Sequence, residues 1–412
     1  MDTMKNVIVG QSGGPTAAIN ASLAGVFETA RALGLGTVYG MRHGIEGLLK
    51  GQVIDLSAQL HDSMDVELLK RTPSSFLGSC RFKLPAPGTD DAVYTALFHK
   101  LEALEIGYFI YIGGNDSMDT IAKMSDWAAE NGSDIKCIGV PKTIDNDLPV
   151  TDHTPGYGSA AKYIGTIMKE IVRDSLVYDL KSVTIVEIMG RNAGWLTGAA
   201  ALASEPDCEG VDMLCLPEVA FDLDAFAARI EELQAHKNNV VIAVSEGIKT
   251  ADGTYVCELA NGAVSSDVFG HKNLTGTAKY LAGEIGRRLA CKTRAIELNT
   301  LQRCSAHIAS RTDITEAYNV GGAAVTAASE GRSGEMVVLH RLSSSPYLCV
   351  TEFVDVHAVA NQEKLVPRAW ITQDSFGVTK DFLTYVYPLI QAELTPIYVN
   401  GLPEHLFIRG NF

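Results

Sequence analysis

Lys136-Cys137-Ile138-Gly139-Val140-Pro141-Lys142-Thr143-Ile144-Asp145-Asn146-Asp147 begins as a short β-branched run and ends in a cluster of polar groups. Two carboxylates, a hydroxyl and an ammonium fall within six residues of an expected strand end. In an open α/β sheet the carboxyl ends of the strands face the binding crevice, so such a cluster would point at ligand. Asp145 could then take a proton and Lys142 could hold an anion. The simpler reading of the heptapeptide alone is an Asx turn, because Asp and Asn bond their own backbone and mark loops. The rest of the chain decides between the two.

Upstream, Val7-Ile8-Val9 reads as a strand that breaks at Gly10-Gln11-Ser12-Gly13-Gly14-Pro15 before a helical pattern from Thr16 to about Leu33. Adjacent glycines let backbone N–H groups approach a phosphate, and the helix N-terminus adds positive potential. The same unit recurs at Tyr108–Ile112, Gly113-Gly114-Asn115-Asp116-Ser117 and a helix through Trp127. Between them, helices are expected near 62–71 and 90–104, with Arg81 in a small-residue loop where, taken alone, it reads as a solvated arginine. Downstream come a helix near 159–177 and the strand Val183–Ile188, which breaks at Met189-Gly190-Arg191. Met213–Leu216, a helix near 222–236 and the strand Val240–Val244, ending at Ser245-Glu246-Gly247, follow. Turn residues over 250–275 suggest a hairpin or excursion. Helices are expected near 277–289 and 319–330, and the tail from about Arg332 reads only as further α/β material. Strands alternating with helices point to one or two mostly parallel sheets.

A chain of 412 residues can hold two or three domains. Its 46% hydrophobic and 20% charged residues are globular values. A net charge of −15 argues against nucleic acid or an anionic membrane surface. An anionic substrate would therefore need a local cluster of Arg and Lys. The eight cysteines contain no C-x-x-C pair and read as buried thiols in a reducing, cytoplasmic setting. No signal-peptide pattern opens the sequence, and no stretch reaches the roughly 18 apolar residues of a membrane span.

Several chemistries compete for the glycine turns. Gly10-Gln11-Ser12-Gly13-Gly14 fits the G-x-S-x-G nucleophile elbow, but it follows the first strand, and none of His340, His357 and His405 stands out as a base. Neither glycine turn has the dinucleotide spacing G-x-G-x-x-G. The absence of any Gly-Lys dipeptide excludes a P-loop, and no H-E-x-x-H motif occurs. What remains is Gly13, Arg81, Asp116, Lys142, Asp145, Arg191, Glu246, Arg294 and Arg303 near successive strand ends. Phosphoryl transfer needs such a set, because its catalysis is mostly positioning and charge neutralisation.

In order along the chain, S-G-G at Ser12–Gly14, G-S-x-R-F at Gly78–Phe82, G-G-x-D-S at Gly113–Ser117 and T-I-D-N-D at Thr143–Asp147 resemble the phosphofructokinases. M-G-R at Met189–Arg191, Glu246, T-R at Thr293-Arg294 and L-Q-R at Leu301–Arg303 continue the resemblance. It implies an α/β fold of two Rossmann-like three-layer domains with mostly parallel sheets. Residues 1–157 plus about 304–350 would bind the phosphoryl donor, and residues 158–303 plus about 351–412 would bind fructose 6-phosphate. It further implies Asp145 as the base on the sugar 1-hydroxyl, Asp147 beside it, and Thr143 at the transferring phosphoryl group. Met189, Gly190, Arg191 and Glu246 would hold the sugar. Arg303 and Arg294 would hold its phosphate, Arg294 from a neighbouring subunit of a homodimer or homotetramer. Gly13, Arg81, Gly114, Asn115, Asp116 and Ser117 would hold the donor, with Mg²⁺ bridging its oxygens.

Asp116 and Lys142 match the pyrophosphate-using branch, whose ATP-using relatives carry glycine at both places. The Asp116 carboxylate would occupy the space of a nucleotide's α-phosphate and repel its charge. Lys142 would supply a cation to a short, highly charged donor. The expected reaction is reversible transfer from pyrophosphate to fructose 6-phosphate, giving fructose 1,6-bisphosphate and phosphate. An ATP-dependent or sedoheptulose-phosphate-using enzyme is the second reading. A non-catalytic regulatory subunit is the third, although such a subunit would be expected to lose the T-I-D-N-D acids.

The chain departs from the family pattern in four places. Asn115 stands where the metal-linked Asp is usual, so the metal falls to Asn115, Asp116 or both. Thr300 replaces a His or Tyr that touches the sugar. Lys181 is the cation nearest a missing arginine before Val183. Ala24 and Glu28 replace the two effector-binding arginines of the bacterial ATP enzymes, which points to an enzyme without that allosteric control.

Overall fold

A computed structural model of the chain describes residues 4–261 and 274–409. The strands that carry its two main sheets are, in chain order, β1 (Asn6–Gln11), β2 (Val38–Met41), β3 (Val53–Asp55), β4 (Ile106–Gly113), β5 (Lys136–Pro141), β6 (Ser182–Ile188), β7 (Met213–Cys215), β8 (Asn239–Ser245), β9 (Lys292–Glu297), β10 (Glu335–Ser344) and β11 (Tyr347–Asp355).

Seven of them form one sheet in the order β11-β10-β5-β4-β1-β2-β3, parallel except for the edge strands β3 and β11. The other four form an all-parallel sheet, β7-β8-β6-β9. Parallel strands are covered on both faces, so they read as continuous apolar runs rather than alternating ones. In β1, Val7 and Val9 pack on one face with Leu23 and Phe27, while Ile8 packs on the other with Tyr94 and Leu97. In β6, Val183 and Ile185 face one core and Val186 and Ile188 another. Each sheet is thus the middle of three layers, as the fold class expects.

The helix Ile19–Ala32 packs backbone to backbone on Arg311–Ser329, because a Cβ at Gly25 would lie 2.0 Å from the Tyr318 carbonyl oxygen. That second helix starts at Arg311, eight residues before the expected Asn319. Its start is marked by Ser310, whose side chain caps the Asp313 N–H. Strand β9 escapes the sequence pattern because it is an exposed edge rich in charge. The tail opens with the antiparallel hairpin β10–β11, and β11 runs to Asp355, past the boundary expected near 350.

Part of the expected excursion over 250–275 lies outside the described residues; before it, Lys249 bridges Tyr255 and a short helix covers Glu258–Asn261. No described helix is long and apolar enough to cross a membrane. Four cysteines are buried, but Cys208, Cys291 and Cys349 are half-buried and Cys304 is exposed, so the expectation of uniformly buried thiols fails at those four.

Candidate active site

The carboxyl ends of β1, β4, β5, β6 and β8 converge on one cleft of about 590 Å³. Gly13, Arg81, Gly114, Asn115, Asp116 and Ser117 line one end; Met189, Arg191, Glu246 and Arg303 line the other; Lys142, Thr143, Asp145 and Asp147 lie between.

At the first end, the glycine turn after β1 is fastened by the buried amides of Gln11 and Asn20. Gln11 accepts from the Leu77 N–H at 2.9 Å and donates to Asn20 at 2.8 Å, and Asn20 accepts from the Phe76 N–H at 2.9 Å. The Ser79 hydroxyl then donates to the Gly13 carbonyl at 2.6 Å, which ties the Arg81 loop to the turn. Gly13 has φ 74°, a conformation glycine adopts without strain. Beside it, the helix Asn115–Glu130 starts within the cleft wall, so its free N–H groups favour an anionic ligand. Gly113 is required there, since a Cβ would meet the Ser117 hydroxyl at 1.9 Å.

In the middle, Lys142 is 2% exposed and its ammonium donates to the Gly14 carbonyl at 2.6 Å. Burial pulls its pKa down to about 8 against the attraction of Asp145 and Asp147. The loop beyond it is a turn as well as a site wall, but not the expected Asx turn: it is closed by the Thr143 hydroxyl, which accepts from the Asp145 N–H at 3.1 Å, while Asn146 sits at φ 54°. Burial raises Asp145, opposed by Arg191, Lys142 and Arg303. Burial, reinforced by the Asp145 charge, raises Asp147 to about 7.

At the far end, Gly190 has φ 134° and its N–H faces Glu246 at 3.4 Å. The Ser245 hydroxyl closes this turn on the Gly190 carbonyl at 2.5 Å. Burial, with Asp145 adding to it, lifts Glu246 to about 7. Arg303 reaches across to within 3.4 Å of a Cβ placed on Gly14.

Three expected residues lie off the cleft wall. Gly190 shapes the turn from behind, Thr300 is exposed at the start of the short helix Leu301–Cys304, and Arg294 stands on β9 in an ion pair with Asp174 at 3.4 Å. The elbow hypothesis finds no support among the described residues, where the Ser12 hydroxyl pairs with the Tyr111 phenol and no histidine lines the cleft.

Sequence reasoning missed Asn192, Asn361 and Glu363. The Asn115 amide accepts from the Asn361 N–H and donates to the Gln362 carbonyl, while Asn192 donates to the Glu363 carboxylate at 2.9 and 3.1 Å. The tail therefore crosses the cleft from one sheet's residues to the other's. The tail thus holds Asn115 through both its oxygen and its nitrogen, and Asp116 stands next to it on the same wall.

Arranged this way, the cleft holds a base candidate, a buried lysine, an anion-favouring helix start and three arginines, of which Arg191 follows a strand end, Arg81 lies in a loop and Arg303 lies on a short helix. The family profile described as Phosphofructokinase matches residues 6–328 of this chain. The chain belongs to the phosphofructokinase family. This phosphofructokinase is 41% identical over 97% of its length to the pyrophosphate–fructose 6-phosphate 1-phosphotransferase of Halomonas elongata, covering 95% of that protein. It is likewise 41% identical over 98% of its length to the enzyme of the same name from Methylococcus capsulatus, covering 95% of that one. Among solved structures it is similar to a pyrophosphate-dependent phosphofructokinase from Nitrosospira multiformis, with 37% identity, a TM-score of 0.88, and coverage of 98% and 96% of the two chains.

Proposed function

We propose that this phosphofructokinase reversibly transfers a phosphoryl group from pyrophosphate to the 1-hydroxyl of fructose 6-phosphate, in the cytoplasm and with Mg²⁺. The observation that carries the reading is Asp116 at one end of the cleft together with the fully buried Lys142, which reaches the glycine turn at that end from the middle. An acid there repels the extra phosphate of a nucleotide, and a lysine there serves a donor with no nucleoside to anchor it.

In this reading Asp145 takes the hydroxyl proton as the oxygen attacks, and its raised affinity for a proton suits it to that work. Asp147 keeps a second negative charge beside it, Thr143 touches the transferring group, and Lys142 with Arg81 neutralises the donor. Met189, Gly190, Arg191 and Glu246 hold the sugar, and Arg303 holds its phosphate. The cleft wall carries five carboxylates, Asp116, Asp145, Asp147, Glu246 and Glu363, against four cations, Arg81, Lys142, Arg191 and Arg303. Two anionic substrates therefore call for added positive charge, and an all-oxygen donor set suits a hard divalent ion. Asp116 would hold Mg²⁺, which supplies charge neutralisation at the donor oxygens.

Arg294 is assigned to the site of a neighbouring copy. It lies beside the exposed Tyr178 and Leu180 on an open sheet edge, where a second subunit would bury all three. The donor half corresponds to the seven-stranded sheet and the sugar half to the four-stranded one, with the first extending to Asp355. Retention of both T-I-D-N-D acids inside the cleft favours an enzyme over a regulatory subunit.

The reading is tested in reverse: fructose 1,6-bisphosphate, phosphate and Mg²⁺ should yield pyrophosphate, seen by phosphorus NMR. Failure to form it, with fructose 6-phosphate still phosphorylated by ATP, would remove pyrophosphate from the account.

A further inference from the structure

The two acids of the T-I-D-N-D loop face the cleft, while the residue between them turns away from it. Asn146 is 0% exposed, and at φ 54° it is the hinge that lets Asp145 and Asp147 diverge into one cleft. A left-handed asparagine is held by what its side chain bonds. Its carbonyl oxygen accepts from the Thr154 N–H at 3.0 Å, and its amide nitrogen donates to the Tyr385 hydroxyl at 2.8 Å.

Tyr385 lies 239 residues away, in the helix Lys380–Val386 of the tail. Its hydroxyl donates in turn to the Asp152 carbonyl at 2.7 Å, so its one proton is committed and its oxygen is left to accept from Asn146. The ring is fixed on every side. Trp195 and Trp370 each lie 5.3 Å away between centroids. The Arg341 guanidinium sits 4.7 Å from the ring centre, donates to the Tyr385 carbonyl at 2.9 Å and clamps Asp152 at 2.8 and 3.0 Å. Sealed from water, Asn146 has no solvent to replace the phenol if it is lost. The tail grips the loop a second time where the Lys364 N–H bonds the Asp147 carbonyl at 2.7 Å.

We propose that Tyr385 is a positioning residue for phosphoryl transfer, its hydroxyl holding Asn146 so that Asp145 and Asp147 keep their aim into the cleft. The inference rests on the assignment of Asp145 as base. It makes the tail part of the catalytic apparatus, although Tyr385 touches no substrate.

The test uses the full chain with Tyr385→Phe, which keeps the aromatic packing and removes only the hydroxyl, and with Asn146→Gly, which keeps the left-handed backbone and removes the amide. Steady-state kinetics are measured with whichever donor the parent uses. Each variant should lose about 10–100-fold in kcat with both KM values held within about twofold, since a misplaced base costs turnover rather than affinity. The double variant should be no worse than Asn146→Gly alone, because the two act through one bond. A kcat for Tyr385→Phe within twofold of the parent, a loss confined to Tm, or additive losses in the double variant would overturn the proposal. If Tyr385→Phe does not fold, Asn146→Gly carries the same kcat-only expectation and the same overturning result. A parent inactive with either donor would overturn the functional reading and this inference with it; an active parent unaffected by the changes would overturn this inference alone.

Discussion

The Lys142 ammonium donates to the Gly14 carbonyl oxygen at 2.6 Å across 128 residues of sequence, joining the end of β5 to the glycine turn after β1. The donor end of the cleft is therefore tied together by the same cation proposed to read the donor. Lys142 should be charged below about pH 8 and neutral above it in the empty site. Pyrophosphate kcat/KM should fall as pH rises through that value, because this ratio reports the free enzyme. Lys142→Met should be low at every pH and lack this limb; an unchanged limb in the variant would assign it to another group.

Asp145→Asn keeps the shape of the side chain and removes the base. Turnover should fall by about 10²–10⁴ with pyrophosphate binding largely kept. Near-normal turnover would take Asp145 out of its role.

Asp147 illustrates the cost of assembling such a cleft. Its pKa is raised by burial to about 7, so the folded protein binds a proton there that the unfolded chain has already lost above about pH 4. Stability is thus reduced progressively between about pH 4 and 7 and stays reduced above. In the metal-free protein, Asp147→Asn should raise Tm at pH 8, with little gain at pH 4, while abolishing turnover. A Tm at pH 8 equal to or below the parent's would contradict the uncompensated charge.

His153 works in the opposite sense. Burial opposes its charge, but Glu316 at 2.7 Å and Asp152 at 2.8 Å outweigh it and raise the imidazole to about 9. Arg341 on Asp152 and the Tyr347 hydroxyl on Glu316 complete the cluster. The stabilisation is full below the unfolded value near 6.5 and is lost as pH rises through about 9. Between pH 7 and 9 the parent's Tm should drop toward that of His153→Gln, which should be the less stable of the two at pH 6 and lack this drop. A parallel drop in both would move the effect elsewhere.

Asn115 explains a departure from the family pattern. Its amide both accepts from and donates to the tail backbone, whereas an aspartate would set a carboxylate against the Gln362 carbonyl. Asn115→Ala, which removes the oxygen that accepts from the Asn361 N–H, should speed hydrogen exchange at the Asn361 amide roughly tenfold, the equivalent of one hydrogen bond. Unchanged exchange would deny that Asn115 anchors the tail.

How much of this was legible follows from distance along the chain. The glycine turns, Thr143–Asp147 and Met189–Arg191 each announce themselves within a few residues, because a strand end, a turn and a helix start are local events. Arg81 and Arg303 are ordinary arginines until the motifs around them are matched. The Asn115–Gln362 and Asn192–Glu363 contacts span 247 and 171 residues, so nothing local in 361–363 signals a cleft wall. Lys142 was legible as a cation just past a strand end, but not its anchorage on Gly14. Arg294 and Thr300 illustrate the reverse: their motifs are clear, yet within one chain neither reaches the cleft wall.

The most direct measurement is fructose 6-phosphate turnover with Mg²⁺ and either pyrophosphate or ATP as donor, at matched concentrations, in the parent and in Asp116→Gly with Lys142→Gly. The parent should turn over with pyrophosphate alone, and the double variant should lose that activity. Turnover with ATP alone, or pyrophosphate turnover surviving the double change, would contradict the assignment of the donor to Asp116 and Lys142.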